Sequence, residues 1–273
     1  MSVFVCPVCG AMLENTGKSY ICSKSHSFDI ARSGYVNLLL SKHIGKAVHG
    51  DNKLMVKARR DFLDKGCYLP LCSAVCDEAL KYAENRSVVL DAGCGEGYYT
   101  SSMKAAFDRS DIAVKMFGID ISKVAVEYAA KRDRSVSFAA ASVFHLPVAD
   151  RSCDLLVTMF APYCGGEYTR VLKEDGIMIM AIPSENHLWE LKKAIYDTPY
   201  KNEVKPYELD GFEHIGVRRV SFTMELTEKE DIRSLFSMTP YYYKTGRTEQ
   251  ERLESLETLT TQADFEVLTY RRK

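Results

Sequence analysis

Residues 88–100 read Val88-Val89-Leu90-Asp91-Ala92-Gly93-Cys94-Gly95-Glu96-Gly97-Tyr98-Tyr99-Thr100, and this stretch decides the fold. A β-branched apolar run reaches an aspartate, and glycine then occupies three alternate positions before a segment that favours a helix over residues 98–107. This order predicts a strand, a tight glycine loop and a helix N-terminus. Because glycine has no Cβ, the loop backbone can approach a ligand, toward which the first helical N–H groups also point.

The spacing of the glycines indicates which ligand this loop binds. Dinucleotide-binding folds use G-x-G-x-x-G, whereas Gly93, Gly95 and Gly97 give G-x-G-x-G after an aspartate. This form resembles motif I of the class I S-adenosylmethionine-dependent methyltransferases. The resemblance implies that S-adenosyl-L-methionine is the cofactor, and it includes Glu96 and Tyr98 among the cofactor-binding residues.

Strands and helices alternate on both sides of this loop. Strands are predicted over residues 87–90, 114–119, 136–140, 153–160 and 176–182, with helices over 123–131 and 166–172, and further strands over 215–226 and 265–270. Such alternation favours a doubly wound sheet, whose ligands bind at the carboxyl ends of the strands. We therefore expect an α/β fold with a Rossmann-like, mostly parallel, seven-stranded methyltransferase sheet and a small N-terminal zinc ribbon.

Composition excludes several classes of protein. Apolar residues make up 46% of the 273 and charged residues 27%, as is usual for a globular protein, and no apolar run is long enough to span a membrane. We expect a cytoplasmic protein with no membrane partner and with reduced cysteines. The net charge of −1 is uneven, because residues 1–66 hold ten Lys and Arg against five Asp and Glu.

Three cysteines and a histidine near the N-terminus have the spacing of metal ligands. Cys6 and Cys9 form a C-x-x-C pair, and Cys22 and His26 follow after a segment of hairpin length. Four N/S ligands suit a tetrahedral Zn²⁺ with no open position, so the zinc should be structural. We assign residues 1–37 to the zinc ribbon, 38–84 to a basic linker and helices, and 85–273 to the methyltransferase domain.

Asp120 and Ser142 are also predicted to contact the cofactor. Asp120 ends the second strand, 29 positions after Asp91, where it can accept hydrogen bonds from both ribose hydroxyls, while Asp91 orders the loop and favours the cationic amino group. Ser142 takes the place where a carboxylate usually faces the adenine amine and can still hydrogen-bond it. Ile121 and Val143, the neighbours of these two, complete the predicted pocket.

The end of the fourth strand bears on the substrate. It reads Phe160-Ala161-Pro162-Tyr163, whereas methyltransferases that act on exocyclic amines often have Asn-Pro-Pro-Tyr, whose first side chain accepts the amine protons. Phe160 cannot accept a hydrogen bond, so the sequence disfavours an exocyclic amine. A base stacked on Tyr163 with a ring nitrogen toward the methyl group remains open, as does a role for Tyr163 in core packing alone.

The whole chain resembles the bacterial 23S rRNA (guanine-N1)-methyltransferases of the RlmA type. The resemblance rests on the ribbon, Gly34 to Leu39, Gly50-Asp51, Ala58 to Leu71, the glycine loop and Met238-Thr239-Pro240. It implies methylation of a guanine in a 23S rRNA hairpin and, in one branch of the family, resistance to macrolides of the tylosin group.

Such a reaction needs a route for the N1 proton, an unstacked base and contacts to phosphates. The candidate bases are Glu185 and Asp150, and Trp189 is a second aromatic candidate beside Tyr163. The residues expected to contact phosphates are Arg59, Arg60, Lys42, Lys46 and Lys24.

Two alternatives stay open at this point, and the sequence also leaves open whether two chains form a homodimer. The first is a small-molecule (quinone or metabolite) methyltransferase whose zinc ribbon binds a protein. The second is a binding module without activity, which the intact Asp91, glycine loop and Asp120 argue against.

Overall fold

The structure is a computed structural model that describes residues 2–40, 52–204 and 206–273. Lys42 and Lys46, Gly50-Asp51 and most of the predicted linker lie outside the described residues. The remaining part of the chain forms two sheets flanked by helices.

The smaller sheet is the ribbon. Its strands are β1 (Leu13–Asn15), β2 (Ser19–Cys22) and β3 (Ser27–Asp29), which pair antiparallel in that order. Gly17 turns the first hairpin with a φ of +88°, a left-handed conformation that favours glycine. The turns at the two ends of β2 bring the predicted ligand pairs to one end of the ribbon.

The larger sheet has eight strands. They are β4 (Val36–Asn37), β5 (Val88–Ala92), β6 (Lys115–Asp120), β7 (Ser137–Ala140), β8 (Cys153–Met159), β9 (Leu172–Pro183), β10 (Phe212–Leu226) and β11 (Leu259–Arg272). The spatial order is β10-β11-β9-β8-β5-β6-β7-β4, with β11 antiparallel to both neighbours and every other pair parallel. The predicted α/β, mostly parallel sheet is confirmed, and β4 extends its seven strands by an eighth.

Eight helices cover the sheet in the described part of the chain. They are α1 (Lys53–Asp64), α2 (Leu69–Leu80), α3 (Tyr98–Arg109), α4 (Lys123–Arg132), α5 (Gly165–Val171), α6 (Trp189–Ile195), α7 (Lys229–Ser237) and α8 (Arg247–Ser255), with a 3-10 turn over Pro240–Lys244. Asn52 caps α1 by accepting from the N–H groups of Leu54 and Met55, and Ser122 caps α4. No helix within the described ranges is long and apolar enough to cross a membrane.

The ribbon shares a hydrophobic core with the larger domain. Phe4 is fully buried, and its ring centroid lies 5.7 Å from that of Tyr20 in the ribbon and 5.3 Å from that of Phe117 in β6. Backbone bonds join the same surfaces, from Val5 N–H to the Pro147 carbonyl and from Ala149 N–H to the Val3 carbonyl, each 2.9 Å. A ribbon of this size cannot bury enough apolar surface alone, so it completes its core on β6 and on the loop after β7.

This shared core predicts the effect of replacing Phe4. Phe4→Ala should lower the free energy of unfolding by about 3 kcal/mol, because it removes a fully buried ring between the two parts of the protein. Guanidinium unfolding at a fixed zinc concentration measures the loss. Phe144→Ala, which truncates a 44% exposed ring, should cost about 1 kcal/mol or less. Equal losses in the two variants would contradict a shared core.

Candidate active site and metal centre

A cleft of about 570 Å³ opens at the carboxyl ends of the parallel strands. One half is lined by the glycine loop and by residues that follow β6 and β7, and the other half by α1, the end of β8 and the segments around residues 187, 202 and 240. This is the position at which doubly wound sheets bind ligands. The first half corresponds to the predicted cofactor pocket, and we call the second the substrate half.

The glycine loop comes closer to its neighbours than any other residue would permit. Gly93 has φ +93°, and a Cβ built on it would lie 2.4 Å from the Cβ of Ala161 after β8. At Gly97, with φ +87°, a Cβ would lie 2.9 Å from the Cα of Ala129 in α4. Gly95 has open space around it, and its N–H donates to Asp120 Oδ2 at 3.0 Å. Two of the three glycines therefore allow close packing, while Gly95 connects the loop to β6.

Asp91 offers a buried acceptor beside this loop. Thr100 Oγ1 donates to its Oδ2 at 2.5 Å, but its Oδ1 is buried and meets no hydrogen-bond partner among the described residues. Burial, reinforced by the charge of Asp120 and opposed by the Thr100 bond, raises the pKa of Asp91 to about 7. An unsatisfied buried carboxylate oxygen fits a ligand that brings a cationic amine, as S-adenosylmethionine does.

Asp120 lines the cleft at the end of β6, as predicted for a ribose ligand. Its Oδ1 accepts from Ser122 N–H at 2.8 Å and its Oδ2 from Gly95 N–H, so backbone donors orient the carboxylate. Each carboxylate oxygen has a further lone pair for a hydroxyl. Ile121 lines the cleft next to it.

The other predicted cofactor residues also line the cleft. Ser142 and Val143 follow β7, and the Ser142 hydroxyl accepts from Phe144 N–H at 3.2 Å. Glu96 is buried and ion-paired with Arg132, and it accepts from Tyr98 N–H, which stiffens the start of α3. These assignments to the cofactor remain predictions. Eight of the ten predicted residues line the cleft, whereas Asp91 and Gly97 are not among its lining residues.

Aromatic rings line the substrate half. Phe160 has a left-handed φ of +57° and is 47% exposed, with its ring centroid 5.6 Å from that of Phe265. Tyr68 and Tyr241 line the same half, and the Tyr68 centroid lies 5.1 Å from that of Phe265. A non-glycine residue with this φ is uncommon and clusters at functional sites. Here it puts an aromatic ring at the end of β8.

The structure does not bring the predicted catalytic residues into this cleft. Tyr163 lines a separate cavity with Arg170, and its ring packs edge-on against Tyr168. Asp150 is exposed and ion-paired with Arg170, at 2.7 Å. Glu185 is exposed and paired with Lys201, at 3.0 Å. Their catalytic roles remain untested predictions that this placement does not favour, because a base must reach the proton it removes.

Sequence reasoning missed several residues of the substrate half, among them three with polar side chains that come from distant segments. His187, Asn202 and Tyr241 line the cleft, but they come from segments without a strong periodic pattern. The only signal was Met238-Thr239-Pro240, which precedes Tyr241 and also lines the cleft. Trp189, the second aromatic candidate, is half-buried at the start of α6 and is not among the lining residues.

The described phosphate candidates occupy three different environments. Arg59 is half-buried and lines the substrate half of the cleft. Arg60 lies over the ring of Tyr128 at 4.8 Å and pairs with Asp61 at 3.3 Å. Lys24 is exposed at the ribbon tip. Of the three, Arg59 is thus the one placed to meet a substrate inside the cleft.

The predicted metal ligands converge in the ribbon. The side-chain ligand atoms of Cys6, Cys9, Cys22 and His26 all lie within 4.8 Å of one another. His26 Nδ1 is 3.5 Å from Cys6 Sγ and 3.4 Å from Cys22 Sγ, and Cys9 Sγ is 3.7 Å from Cys22 Sγ. Zn–S bonds of about 2.3 Å place tetrahedral sulfur ligands about 3.8 Å apart, so the set fits a closed structural zinc.

Two family models match the chain. The model described as "RlmA, N-terminal", a zinc ribbon, matches residues 4–43, and the model described as "Methyltransferase domain" matches residues 83–238. The second match alone covers more than half of the 273 residues.

Curated relatives match over most of their length. The 23S rRNA (guanine(748)-N1)-methyltransferase of Streptomyces fradiae is 30% identical over 232 aligned positions, covering 81% of this chain and 79% of that protein. A relative from Micromonospora griseorubida, provisionally named a 23S rRNA (guanine-N1)-methyltransferase, is 33% identical over 264 positions, covering 88% and 86%. Among solved structures, the Bacillus subtilis YcgJ protein has a TM-score of 0.50 at 16% identity, covering 74% of this chain and 97% of that one, which supports the fold alone.

The metal centre predicts a selective loss of zinc. Cys22→Ser should lower the zinc content from about one atom per chain to well below one, because a weaker oxygen ligand replaces one of the four thiolate and imidazole ligands. Elemental analysis of the purified protein measures this. Cys164→Ser, which alters a partly exposed cysteine outside the cluster, is the matched control and should keep its zinc. Zinc retained in both variants would contradict the ligand assignment.

Asp91 predicts a pH dependence of cofactor binding. Since its pKa is about 7 in the unliganded protein, its carboxylate is mostly protonated at pH 5.5 and mostly ionised at pH 7.5. Affinity for S-adenosylmethionine should therefore rise, by about tenfold over this range, as pH increases. Calorimetric titration measures it. Asp91→Asn keeps an acceptor for Thr100 and should bind weakly with little pH dependence, and a wild-type affinity that is flat over the range would contradict the assignment.

Proposed function

Because the chain belongs to the bacterial 23S rRNA (guanine-N1)-methyltransferases of the RlmA type, we propose that it transfers a methyl group to the N1 atom of a guanine in a 23S rRNA hairpin. The observation that carries this proposal is one cleft in which an aromatic half adjoins the cofactor half. Stacking rings suit a flat base, and the adjoining halves put that base beside the methyl donor.

The cofactor half fits S-adenosylmethionine residue by residue. When bound, this cofactor supplies a methyl group on a positively charged sulfur. Asp120 lines the cleft where the ribose hydroxyls would lie, and Ser142 lines it at the adenine edge. Asp91 is buried behind the glycine loop, and its unsatisfied Oδ1 is proposed to attract the cationic amino group from there. Gly95 leaves open space beside the loop backbone, while Gly93 and Gly97 let the loop pack against Ala161 and Ala129.

The substrate half favours a ring nitrogen over an exocyclic amine. Phe160 stands where an amide or carboxylate would accept amine protons, and it contributes a ring with a π face instead. A guanine in a stem must be unstacked to enter the cleft, and stacking on aromatic side chains offsets about 1 to 3 kcal/mol of that cost. Holding N1 in line with the methyl group then supplies the rate enhancement expected from alignment.

The RNA backbone is proposed to run from the cleft toward the ribbon. Arg59 lines the cleft, and the ribbon adds the exposed cations Lys18, Lys24 and Arg32. Lys and Arg side chains on such a path contact phosphates and make binding salt-dependent. Because the ribbon docks beside the loop that carries Ser142 and Val143, RNA bound to the ribbon would lie close to the cofactor pocket.

The proposal has four further parts. The target guanine lies in a hairpin, the protein is cytoplasmic, the methylation is linked to macrolide resistance, and two chains form a homodimer. Methylation in a 23S hairpin requires the enzyme to meet ribosomal RNA in the cytoplasm. If that hairpin lies in a macrolide-binding region, cells that express the active chain will tolerate more tylosin than cells that express an inactive variant. Sedimentation of the purified chain measures whether two copies associate.

The central test is methylation of unmodified 23S rRNA with labelled cofactor. We expect label in the RNA and one strong reverse-transcriptase stop at a guanine, because an N1 methyl group blocks base pairing. Asp120→Ala, which removes the proposed ribose ligand, should lower the rate at sub-saturating cofactor at least tenfold. Asp108→Ala, on an exposed part of α3, should leave it unchanged.

Two outcomes would contradict the proposal. Label that enters a small molecule and never RNA would favour the quinone or metabolite methyltransferase. Label in RNA without a stop would place the methyl group on an atom that does not block pairing, such as N7.

A further inference from the structure

A buried lysine stands behind the substrate half of the cleft. Lys192 in α6 is fully buried, and its Nζ donates to the Tyr200 carbonyl at 2.9 Å and to Asn202 Oδ1 at 2.7 Å. Its Nζ also lies 4.7 Å from the ring centroid of Tyr200 and 4.8 Å from that of Tyr241. Burying an ammonium group is costly, so this arrangement calls for a purpose beyond packing.

The network fixes the orientation of Asn202. Its Oδ1 accepts from Lys192 Nζ and from the Tyr241 hydroxyl at 3.1 Å, and its Nδ2 donates to the Ser184 carbonyl at 2.8 Å. A lysine only donates and a carbonyl only accepts, so the two ends of the amide cannot be exchanged. The second Nδ2 hydrogen meets no acceptor among the described residues, and Asn202 lines the cleft.

His187 supplies a second donor on the same wall. Its Nδ1 accepts from the backbone N–H of Asp264 at 3.2 Å, which leaves the proton on Nε2. Burial and the charge of Lys192 lower the pKa of His187 to about 3, so the ring is neutral at physiological pH and is a weak base. Tyr68 is the titratable side chain whose ring contacts that of His187, with 6.4 Å between the two ring centroids.

The substrate half of the cleft carries hydrogen-bond donors, whereas the sequence led us to expect a general base. Among the described residues that line the cleft, the carboxylates are Asp120 and Glu96, both on the cofactor side, and Glu96 is ion-paired with Arg132. The wall opposite them carries the neutral imidazole of His187 and the amide of Asn202. This distribution suits a substrate whose oxygen becomes more negative during the reaction.

Resting on the proposed function, we infer that Asn202 and His187 donate hydrogen bonds to O6 of the target guanine, with Lys192 as the positioning residue for Asn202. O6 and N1 are bonded to the same carbon, so charge left by the N1 proton is shared with O6. Donors preorganised at O6 therefore make N1 more acidic. With these two donors, the reaction needs no side-chain base to remove the N1 proton.

The reaction balances on these terms. The N1 proton goes to water, N1 forms a bond to the methyl carbon, and the S–CH3 bond breaks with its electron pair left on sulfur. The same donors explain why guanine is preferred to adenine as the substrate nucleobase. Adenine carries an amino group at position 6, and two donors facing an amine leave buried polar groups unpaired, which disfavours that base strongly.

Asn202→Asp tests the inference with little change of shape. The carboxylate still accepts from Lys192 and Tyr241, but it replaces the donor facing O6 with a negative charge. Single-turnover methylation of the hairpin should fall by about 100-fold at pH 7, and the deficit should narrow as pH rises toward 9, because guanine N1 then ionises without help. Cofactor affinity by calorimetry should stay at the wild-type value.

Matched variants separate this role from a structural one. Asn186→Asp makes the same change at an exposed position just before α6 and should keep the wild-type rate at every pH. Lys192→Met should reproduce the pH-dependent deficit, because it removes the donor that orients Asn202. A deficit in Asn202→Asp that is constant over pH 6.5 to 9, or a wild-type rate in that variant, would overturn the inference.

A second measurement uses the wild-type protein, so that a folding defect in a variant does not decide the matter. Hairpins that carry inosine or 2-aminopurine at the mapped position keep or lack O6, respectively. We expect inosine RNA to bind within about threefold of guanine RNA, and 2-aminopurine RNA to bind at least tenfold more weakly. Equal binding of the two analogues would overturn the inference, whereas a wild-type protein that methylates no N1 at any pH would overturn the proposed function instead.

Discussion

Clearance around the glycine loop is the constraint on which the rest of the structure depends. Gly93 and Gly97 lie against Ala161 and Ala129 at distances that leave no room for a Cβ, and both have left-handed backbones. With this packing, β5, β8 and α4 converge on one point, and the cofactor half of the cleft forms there. Asp91 is buried at the same place with one oxygen unsatisfied, so the loop is shaped for a cationic ligand before that ligand binds.

The zinc ribbon and this cleft are parts of one physical unit. Zinc holds the ribbon together, while Phe4 and the backbone bonds of Val3 and Val5 attach the ribbon to β6 and to the loop after β7. That loop carries Ser142 and Val143 in the cofactor half. The ribbon, with its exposed basic residues, is therefore packed next to the cofactor half of the cleft.

The substrate half of the cleft is formed by aromatic rings and neutral hydrogen-bond donors. Aromatic rings of Phe160, Tyr68 and Tyr241 line it, and neutral donors at His187 and Asn202 face the same space. The buried ammonium of Lys192 orients Asn202, and burial, reinforced by the charge of Lys192, keeps His187 neutral by lowering its pKa. Such a site suits the proposed substrate, a flat base with a carbonyl oxygen. Asp150 and Glu185, the carboxylates predicted as bases, are exposed, ion-paired and outside the cleft.

The sequence by itself determined the features that depend on neighbours along the chain. The order of the strands, the glycine loop, Asp120 at the end of β6 and the spacing of Cys6, Cys9, Cys22 and His26 are local patterns, and the structure has each of them where it was expected. Strand lengths were less well predicted, since β9 and β11 are longer than the predicted 176–182 and 265–270. Tertiary structure alone decided where Tyr163 points, because the left-handed turn at Phe160 puts the Phe160 ring into the cleft and Tyr163 beside another cavity. It also decided that His187 and Asn202 line one cleft, because contacts between residues distant in sequence, such as the bond from buried Lys192 to Asn202, follow no local period.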